Sequence, residues 1–328
     1  MKRVLPRRLG LVLTPVLIVA LAVGTPAYAA QAGDPTGATI TTKLVQQGTD
    51  LPARNICVFA TPVLTFSWPD LCPARSDADG RVRVEVPAAG AYNLFVLPDS
   101  GSRYGAQWVG PDGGTGSQKT ARRITLDTGE TKPVPKIELD DRATIVGQRR
   151  PGPGRQIVNG TVGIVSPTPD NQRDLRYSPI ADDGSFRIDW LGPYEWPLLF
   201  KSDQHPYQWS GQVGNRLLAD LAPATIGATE PYLFSLSGGT YVGVRIPDEP
   251  PGPLRLVMRN VATGEAVAFG EDDDANHHVR PMVLGGQQVK WECLCPSGVR
   301  WHGGTDFASA TPVVIHTMTL PYLTFEGP

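Results

Sequence analysis

From about residue 39 the chain is a succession of short runs in which apolar and polar residues alternate, each closed by glycine, proline or aspartate. Arg81-Val82-Arg83-Val84-Glu85-Val86 is the cleanest, with valine at every second position. A period of two puts one kind of side chain on each face of a strand, one face dry and the other wet. Thr39–Val45, Asn55–Ala60, Ala91–Leu97, Arg123–Leu126 and Lys136–Leu139 are strands on the same grounds, and strands restart at Ala143–Gly147 and Gly239–Ile246. No stretch sustains a helical apolar period between caps. Short strands with turn signals every ~8–12 residues predict β-sandwiches.

The pattern also repeats on a longer scale. Asp77-Ala78-Asp79-Gly80 leads into an alternating strand, then Pro87-Ala88-Ala89-Gly90-Ala91-Tyr92, and then Trp108. Ala181-Asp182-Asp183-Gly184 leads through Phe186 and Ile188 to Leu191-Gly192-Pro193-Tyr194, and then Trp209. A worn third copy runs from Asp272-Asp273-Asp274 through Leu284-Gly285-Gly286 to Trp301. The tryptophans are 101 and 92 residues apart, which is the length of a repeated domain and not of a solenoid turn. The expected organisation is three tandem Greek-key β-sandwich modules, at 35–140, 141–237 and 238–328, the last divergent.

Residues 1–29 stand outside that scheme. Lys2, Arg3, Arg7 and Arg8 precede an apolar run from Leu9 to Val23, and Ala27-Tyr28-Ala29 supplies a small-x-small cleavage site, the signature of a secretory signal peptide. The run is short and broken by Pro15, which disfavours a membrane anchor. Without the leader, 26 basic residues face 32 acidic ones. That mildly acidic balance, with no basic stripe in the sequence, argues against nucleic acid as a partner. A secreted, extracellular protein with no membrane contact after cleavage is expected. The 36 glycines and 32 prolines lie between the apolar runs, as turn residues do, and fall short of low-complexity levels.

The ordered set of Asp-x-Asp-Gly turn, alternating strand, Pro-x-x-Gly-x-Tyr turn and tryptophan resembles the carboxypeptidase regulatory-like modules. These are also described as prealbumin-like or carbohydrate-binding-like β-sandwiches, repeated in tandem in secreted actinobacterial proteins. The resemblance is strongest over Gly37–Leu139, weaker over Ala143–Leu236 and weakest over Gly239–Phe325. It implies a fold more than a function, since one scaffold hosts spacers, stabilising appendages, adhesins and sugar binders.

Several residues carry candidate chemistry. An exposed indole can stack on the apolar face of a sugar ring, so Trp108, Trp209 and Trp301, with Trp196 and Tyr207 of the aromatic second module, form a candidate carbohydrate-binding set. The competing reading is that each recurring tryptophan closes its own core, and recurrence favours it. The acidic turns could offer oxygens to Ca²⁺, but no bidentate carboxylate stands at loop-closing distance; a hairpin in which aspartate bonds its own backbone fits better. Asp272 and Asp274 beside His277 and His278 are the metal candidates that remain. No other cofactor is implied.

Four cysteines in an exported chain imply disulfides. Cys57 and Cys72 close a loop worth about 3 kcal/mol in the chain-entropy model. Cys293 and Cys295 can join only if the strand turns there; a redox or metal role is the alternative. No nucleophile elbow, zinc-protease motif or phosphate loop is present. The expected function is a secreted, non-catalytic structural or binding protein, with extracellular polysaccharide or cell-surface components as partners. Carbohydrate binding through surface aromatics is the first alternative, and a polysaccharide-acting hydrolase with paired carboxylates the second.

Overall fold

The alternation in Arg81–Val86 is realised residue by residue: Val82, Val84 and Val86 are buried, while Arg81, Arg83 and Glu85 face solvent. This strand pairs antiparallel with Ala38–Gln46, placing Thr41 opposite Arg83 and Lys43 opposite Arg81. On its other side Ala38–Gln46 pairs parallel with Thr131–Pro133 and then with Ile137–Leu139. The facing sheet has the order Ala74–Arg75, Cys57–Pro62, Gly90–Leu97, Gln107–Val109, with Ile124–Leu126 also paired to Gly90–Leu97. Between the two sheets, Asp77 Oδ1 accepts the backbone N–H groups of Asp79 and Arg81, at 2.9 and 2.8 Å. Gly80 takes φ +78°, and a Cβ there would lie 2.3 Å from the carbonyl oxygen of Leu44. Both aspartate and glycine are spent on a turn that carries the chain from one sheet to the other, not on the expected hairpin, since Ala74–Arg75 and Arg81–Val86 pair with different strands.

The computed structural model describes residues 37–66, 68–69, 71–151, 157–167, 177–228, 230–272, 277–316 and 323–327. The leader expected at 1–29 lies outside them, as does Asp274. Among the described residues the chain is built of strands, with two short 3₁₀ turns, and no helix is long and apolar enough to cross a membrane. It is an all-β protein of β-sandwich architecture.

The same connectivity recurs. Ala143–Arg149 lies between Ser185–Leu191, antiparallel, and Tyr232–Phe234, parallel, opposite a sheet of order Ser178–Pro179, Thr161–Gly163, Leu199–Ser202, His205–Trp209. Val244–Arg245 lies between His278–Val279, antiparallel, and Leu323–Thr324, parallel. The sheet opposite has the order Ala266–Glu271, Arg255–Asn260, Gln287–Cys295, Gly298–Trp301. Antiparallel pairing on one side and parallel on the other is thus common to all three strand sets.

The cores do not follow the repeat so simply. Pro35–Pro328 forms one compact unit with three apolar clusters. One, including Ile40, Leu44, Val84, Leu94, Val96 and Leu126, lies inside the first strand set. Another, including Val244, Leu256, Trp291 and Phe325, lies inside the third. The remaining cluster joins Phe59, Phe66, Phe95 and Trp108 of the first set to Ile145, Ile188, Trp196 and Phe200 of the second. Gly90–Leu97 is therefore dry on both faces, Leu94 and Val96 turned one way and Phe95 the other, which is why Leu94–Leu97 is unbroken by polar residues. The first two copies thus share a core at their junction, beside the one inside the first.

A candidate cleft at Trp301

Three of the expected sugar platforms are sealed. Trp108, Trp196 and Trp209 are 2 %, 0 % and 1 % exposed, so none can present a ring face to a ligand. Trp108 packs against Phe66 and Phe95 at centroid distances of 4.7 and 4.9 Å. The Trp196 indole donates to the carbonyl of Gly192 at 3.0 Å. Tyr207 is half-buried, but its ring meets Phe269 edge-on at 5.9 Å and carries the Lys201 ammonium at 4.9 Å. For Trp108 and Trp196 the physical reason is the shared core: the sheet carrying Trp108 packs against the second strand set, and burying an indole there outweighs leaving it wet.

The residues downstream of these tryptophans build a junction. Gln118 opens the 3₁₀ turn Gln118–Thr120 and Arg216 opens the 3₁₀ turn Arg216–Leu218; both are buried. Arg216 Nη2 donates to Gln118 Oε1 at 2.6 Å, and its Nε donates to Glu265 Oε1 at 2.8 Å. Gln118 Nε2 in turn donates to the carbonyls of Pro62 and Thr65 and to Asn93 Oδ1. All three strand sets meet in one hydrogen-bonded node. Burial pushes the Glu265 carboxyl above the ordinary carboxylate range, against the pull of the Arg216 guanidinium.

Trp301 is different, being partly exposed. It stands in register with Glu292 on the neighbouring strand, so indole and carboxylate lie side by side. Glu292 is clamped by Arg259, whose Nε and Nη2 lie 2.7 and 2.6 Å from its Oε2. Phe307 meets Trp301 edge-on at 5.8 Å. Its loop is tied down by Lys290, whose ammonium donates to the carbonyls of Phe307 and Ala308 at 2.6 and 3.0 Å. Trp301, Glu292, Arg259 and Phe307 line a cleft of about 480 Å³, with Val63, Leu64 and Thr65 of the first strand set forming another wall. That wall is a tight turn, with Leu64 at φ +70°. It is held by the Thr61 hydroxyl and Gln118 on the Thr65 carbonyl, and by Arg216 on that of Leu64. The node therefore shapes the cleft.

An indole beside a charged hydrogen-bonding pair suits a ligand with an apolar face and polar edges. Among the described residues, Glu292 is the carboxylate that lines the cleft.

The remaining candidates fall elsewhere. Cys57 and Cys72 are bonded, with their Cα atoms 5.8 Å apart. Cys293 and Cys295 are joined at a Cα separation of 5.2 Å within the strand Gln287–Cys295, where both keep their ladder partners; the turn expected between them lies beyond Cys295 instead. His277 Nδ1 lies 2.8 Å from Asp272 Oδ2, while His278 belongs to the strand paired with Val244–Arg245. Among the described residues no three His, Cys, Asp or Glu side chains gather as a metal site would need. The sequence had not singled out Arg259, Glu292, Phe307 or the node residues. Gln118 and Arg216 could have been found by aligning the copies, since they come 10 and 7 residues after Trp108 and Trp209.

No protein-family model matches the chain, and no curated protein sequence does. Among solved structures it is similar to the Bacillus anthracis TIE protein, at 8 % identity and TM-score 0.23, over 89 % of this chain and 50 % of that one. It is also similar to the major pilin subunit of Bacillus cereus, at 10 % identity and TM-score 0.19, over 89 % and 99 %. A third is a DUF3823 family protein from Parabacteroides merdae, at 8 % identity and TM-score 0.19, over 87 % and 100 %. The chain thus spans half the length of the first of these. Neither sequence nor superposition ties it to any of them.

Proposed function

We propose that this is an exported, non-catalytic protein of three β-sandwich modules of the carboxypeptidase regulatory-like kind, a stiff extracellular component that binds a saccharide ring in the Trp301 cleft. Export rests on the leader sequence. Stiffness rests on the shared core and on the Gln118–Arg216–Glu265 node, which leave little for modules 35–140, 141–237 and 238–328 to swing about. The observation that carries the binding function is the contrast among the repeated tryptophans: two are sealed in packing, and the third lines a cleft beside the Arg259–Glu292 pair. The apolar face of a pyranose fits an indole, and its vicinal hydroxyls fit a guanidinium and a carboxylate held side by side.

The test is titration of the mature protein with soluble starch, chitin oligosaccharides and cello-oligosaccharides, monitored by indole fluorescence. One of them is expected to change the emission of the wild type and not of Trp301→Ala, while Tyr207→Ala responds as the wild type does. No response to any of the three, or an unchanged response in Trp301→Ala, overturns the assignment. Release of reducing ends on incubation overturns the non-catalytic part.

A further inference from the structure

We propose that a groove on the first strand set binds an acidic polysaccharide, a sugar chain carrying carboxylate or sulfate groups. The groove, of about 700 Å³, is lined by five cations, Lys43, Arg75, Arg81, Arg83 and Lys136, and a single acid, Asp77. Asp77 is already committed, since its Oδ1 accepts two backbone N–H groups of its own turn. In a chain that is acidic without its leader, this concentration of positive charge is local and not compositional.

The groove has a structural cause. Strand Ala38–Gln46 pairs first with Thr131–Pro133 and then with Ile137–Leu139, and the residues between them leave the ladder. Lys136 stands on one bank of the resulting gap, and the Thr42 hydroxyl bridges it by donating to the carbonyl of Pro135 at 2.8 Å. On the other bank Lys43 sits directly opposite Arg81. Like charges facing each other across an antiparallel pair oppose folding, and nothing in the packing requires them there, because both side chains belong to the wet face.

The surrounding acids do not remove the charge from the groove. Arg75 pairs with Asp99, Arg81 with Asp79, Arg83 with Glu85, and Lys136 with both Asp50 and Glu138, but these carboxylates are 54 %, 68 %, 79 %, 85 % and 37 % exposed. Exposed pairs of this kind are weak and readily exchanged for a ligand oxyanion. Among the ion pairs of the described residues, none engages Lys43.

The lining selects among polyanions. Among the described residues it contains no aromatic ring, so the bases of a single-stranded nucleic acid would find nothing there to stack on. The floor strand is paired along both edges at Thr39–Thr41, so an acidic peptide would find few main-chain partners there. The Thr41 hydroxyl and the apolar Pro133 and Val134 offer what a sugar backbone can use, a hydrogen-bonding group and a surface for its C–H face.

The experiment is affinity electrophoresis of the mature protein through gels containing alginate, dextran sulfate or uncharged dextran, with an oligothymidylate and polyglutamate as solution competitors. Alginate or dextran sulfate is expected to retard the protein, and dextran is not. Lys43→Gln combined with Arg83→Gln and Lys136→Gln is expected to weaken retardation at least about tenfold, as is raising the salt from about 50 to about 200 mM. The single variant Lys43→Gln is expected to bind more weakly while melting no lower than the wild type, because it relieves the facing charges. No retardation, unchanged retardation of the triple variant, or a lower melting temperature in Lys43→Gln overturns the proposal. Competition by oligothymidylate or polyglutamate as strong as by free alginate also overturns it, by reducing the groove to an indiscriminate positive patch.

Discussion

Trp209 and Trp301 occupy the same place in their strand sets and meet opposite fates. Each ends a strand, and each is tied by a bridge to a residue shortly after it, Trp209 to Val213 and Trp301 to Gly304. Yet Trp209 is 1 % exposed and Trp301 borders a cleft. The difference lies in the path the chain takes beyond each indole. After Trp209 the chain turns inward and places the Arg216 guanidinium 6.0 Å from the Trp209 ring, on its way to Gln118 and Glu265. After Trp301 it rises into the loop of Phe307, which Lys290 holds beside the indole. The repeat fixes where a tryptophan stands along its strand. Whether it sees solvent is decided by neighbours from other strand sets.

The sharpest way to break this comparison is to remove the guanidinium. Arg216→Ala leaves the buried Glu265 carboxyl without its cation and Gln118 Oε1 without its donor. Breaking a buried pair from one side is expected to lower unfolding stability by about 3–5 kcal/mol, read from denaturant midpoints. It should also loosen the Leu64 wall of the cleft, and so weaken ligand binding at Trp301, because Arg216 donates to that wall. A double change, Arg216→Met with Glu265→Leu, is expected to recover much of the stability and not the wall contact. Equal stability of Arg216→Ala and wild type would mean that the three strand sets do not depend on the node.

An effect on the same scale, but on one side of the comparison only, comes from truncating the two indoles in parallel. Trp209→Ala opens a cavity in packed surroundings and is expected to cost about 3–5 kcal/mol. Trp301→Ala gives up a surface that is already partly wet, and should cost less than about 2 kcal/mol. Urea unfolding of both variants measures the gap. Similar losses would erase the distinction between the buried and the cleft tryptophan.

What was legible in the sequence was the part set by local pattern. The valines of Arg81–Val86 announce their own burial, and Asp77–Gly80 announces a turn, because both arise from the pleat and from local hydrogen bonds; that the turn joins two sheets and not one hairpin is not local. The run Ala91–Leu97 reads as a strand, but that Phe95 would serve a different core from Leu94 and Val96 depends on a sheet more than forty residues further on. The same limit explains the tryptophans. Recurrence argued for packing, yet nothing local separates Trp209 from Trp301. Arg216 and Gln118 are 98 positions apart, and Arg259 and Glu292 are 33 apart. Isolated charges at such separations leave no periodic trace, so the node and the cleft emerge only from the packing.

The smallest expected effect is a pH dependence confined to the cleft side of the comparison. His302 comes directly after Trp301 and packs its ring 4.9 Å from Trp291 and 5.7 Å from Phe325. Its Nδ1 accepts the backbone N–H of Glu326 at 2.9 Å, which fixes the neutral ring with its proton on Nε2. Burial holds its pKa below the ordinary value of 6.5, with the Glu326 carboxylate opposing the shift. In the unfolded chain the ring gains its proton as pH falls through 6.5, while in the folded chain it gains it only at lower pH. Below 6.5 the unfolded state therefore binds more protons, and stability falls as the solution is acidified until the folded ring also titrates. His302→Asn keeps an acceptor for Glu326 and removes the titration. Urea midpoints of wild type and variant, measured between about pH 8 and 5, should run parallel above neutrality and converge or cross below it, the wild type losing more. Hydrogen exchange should place that loss in Gly298–Trp301 and its partner strand, leaving the strand of Trp209 unaffected. Parallel curves over the whole range would show that the His302 ring is as free to take a proton when folded as when unfolded.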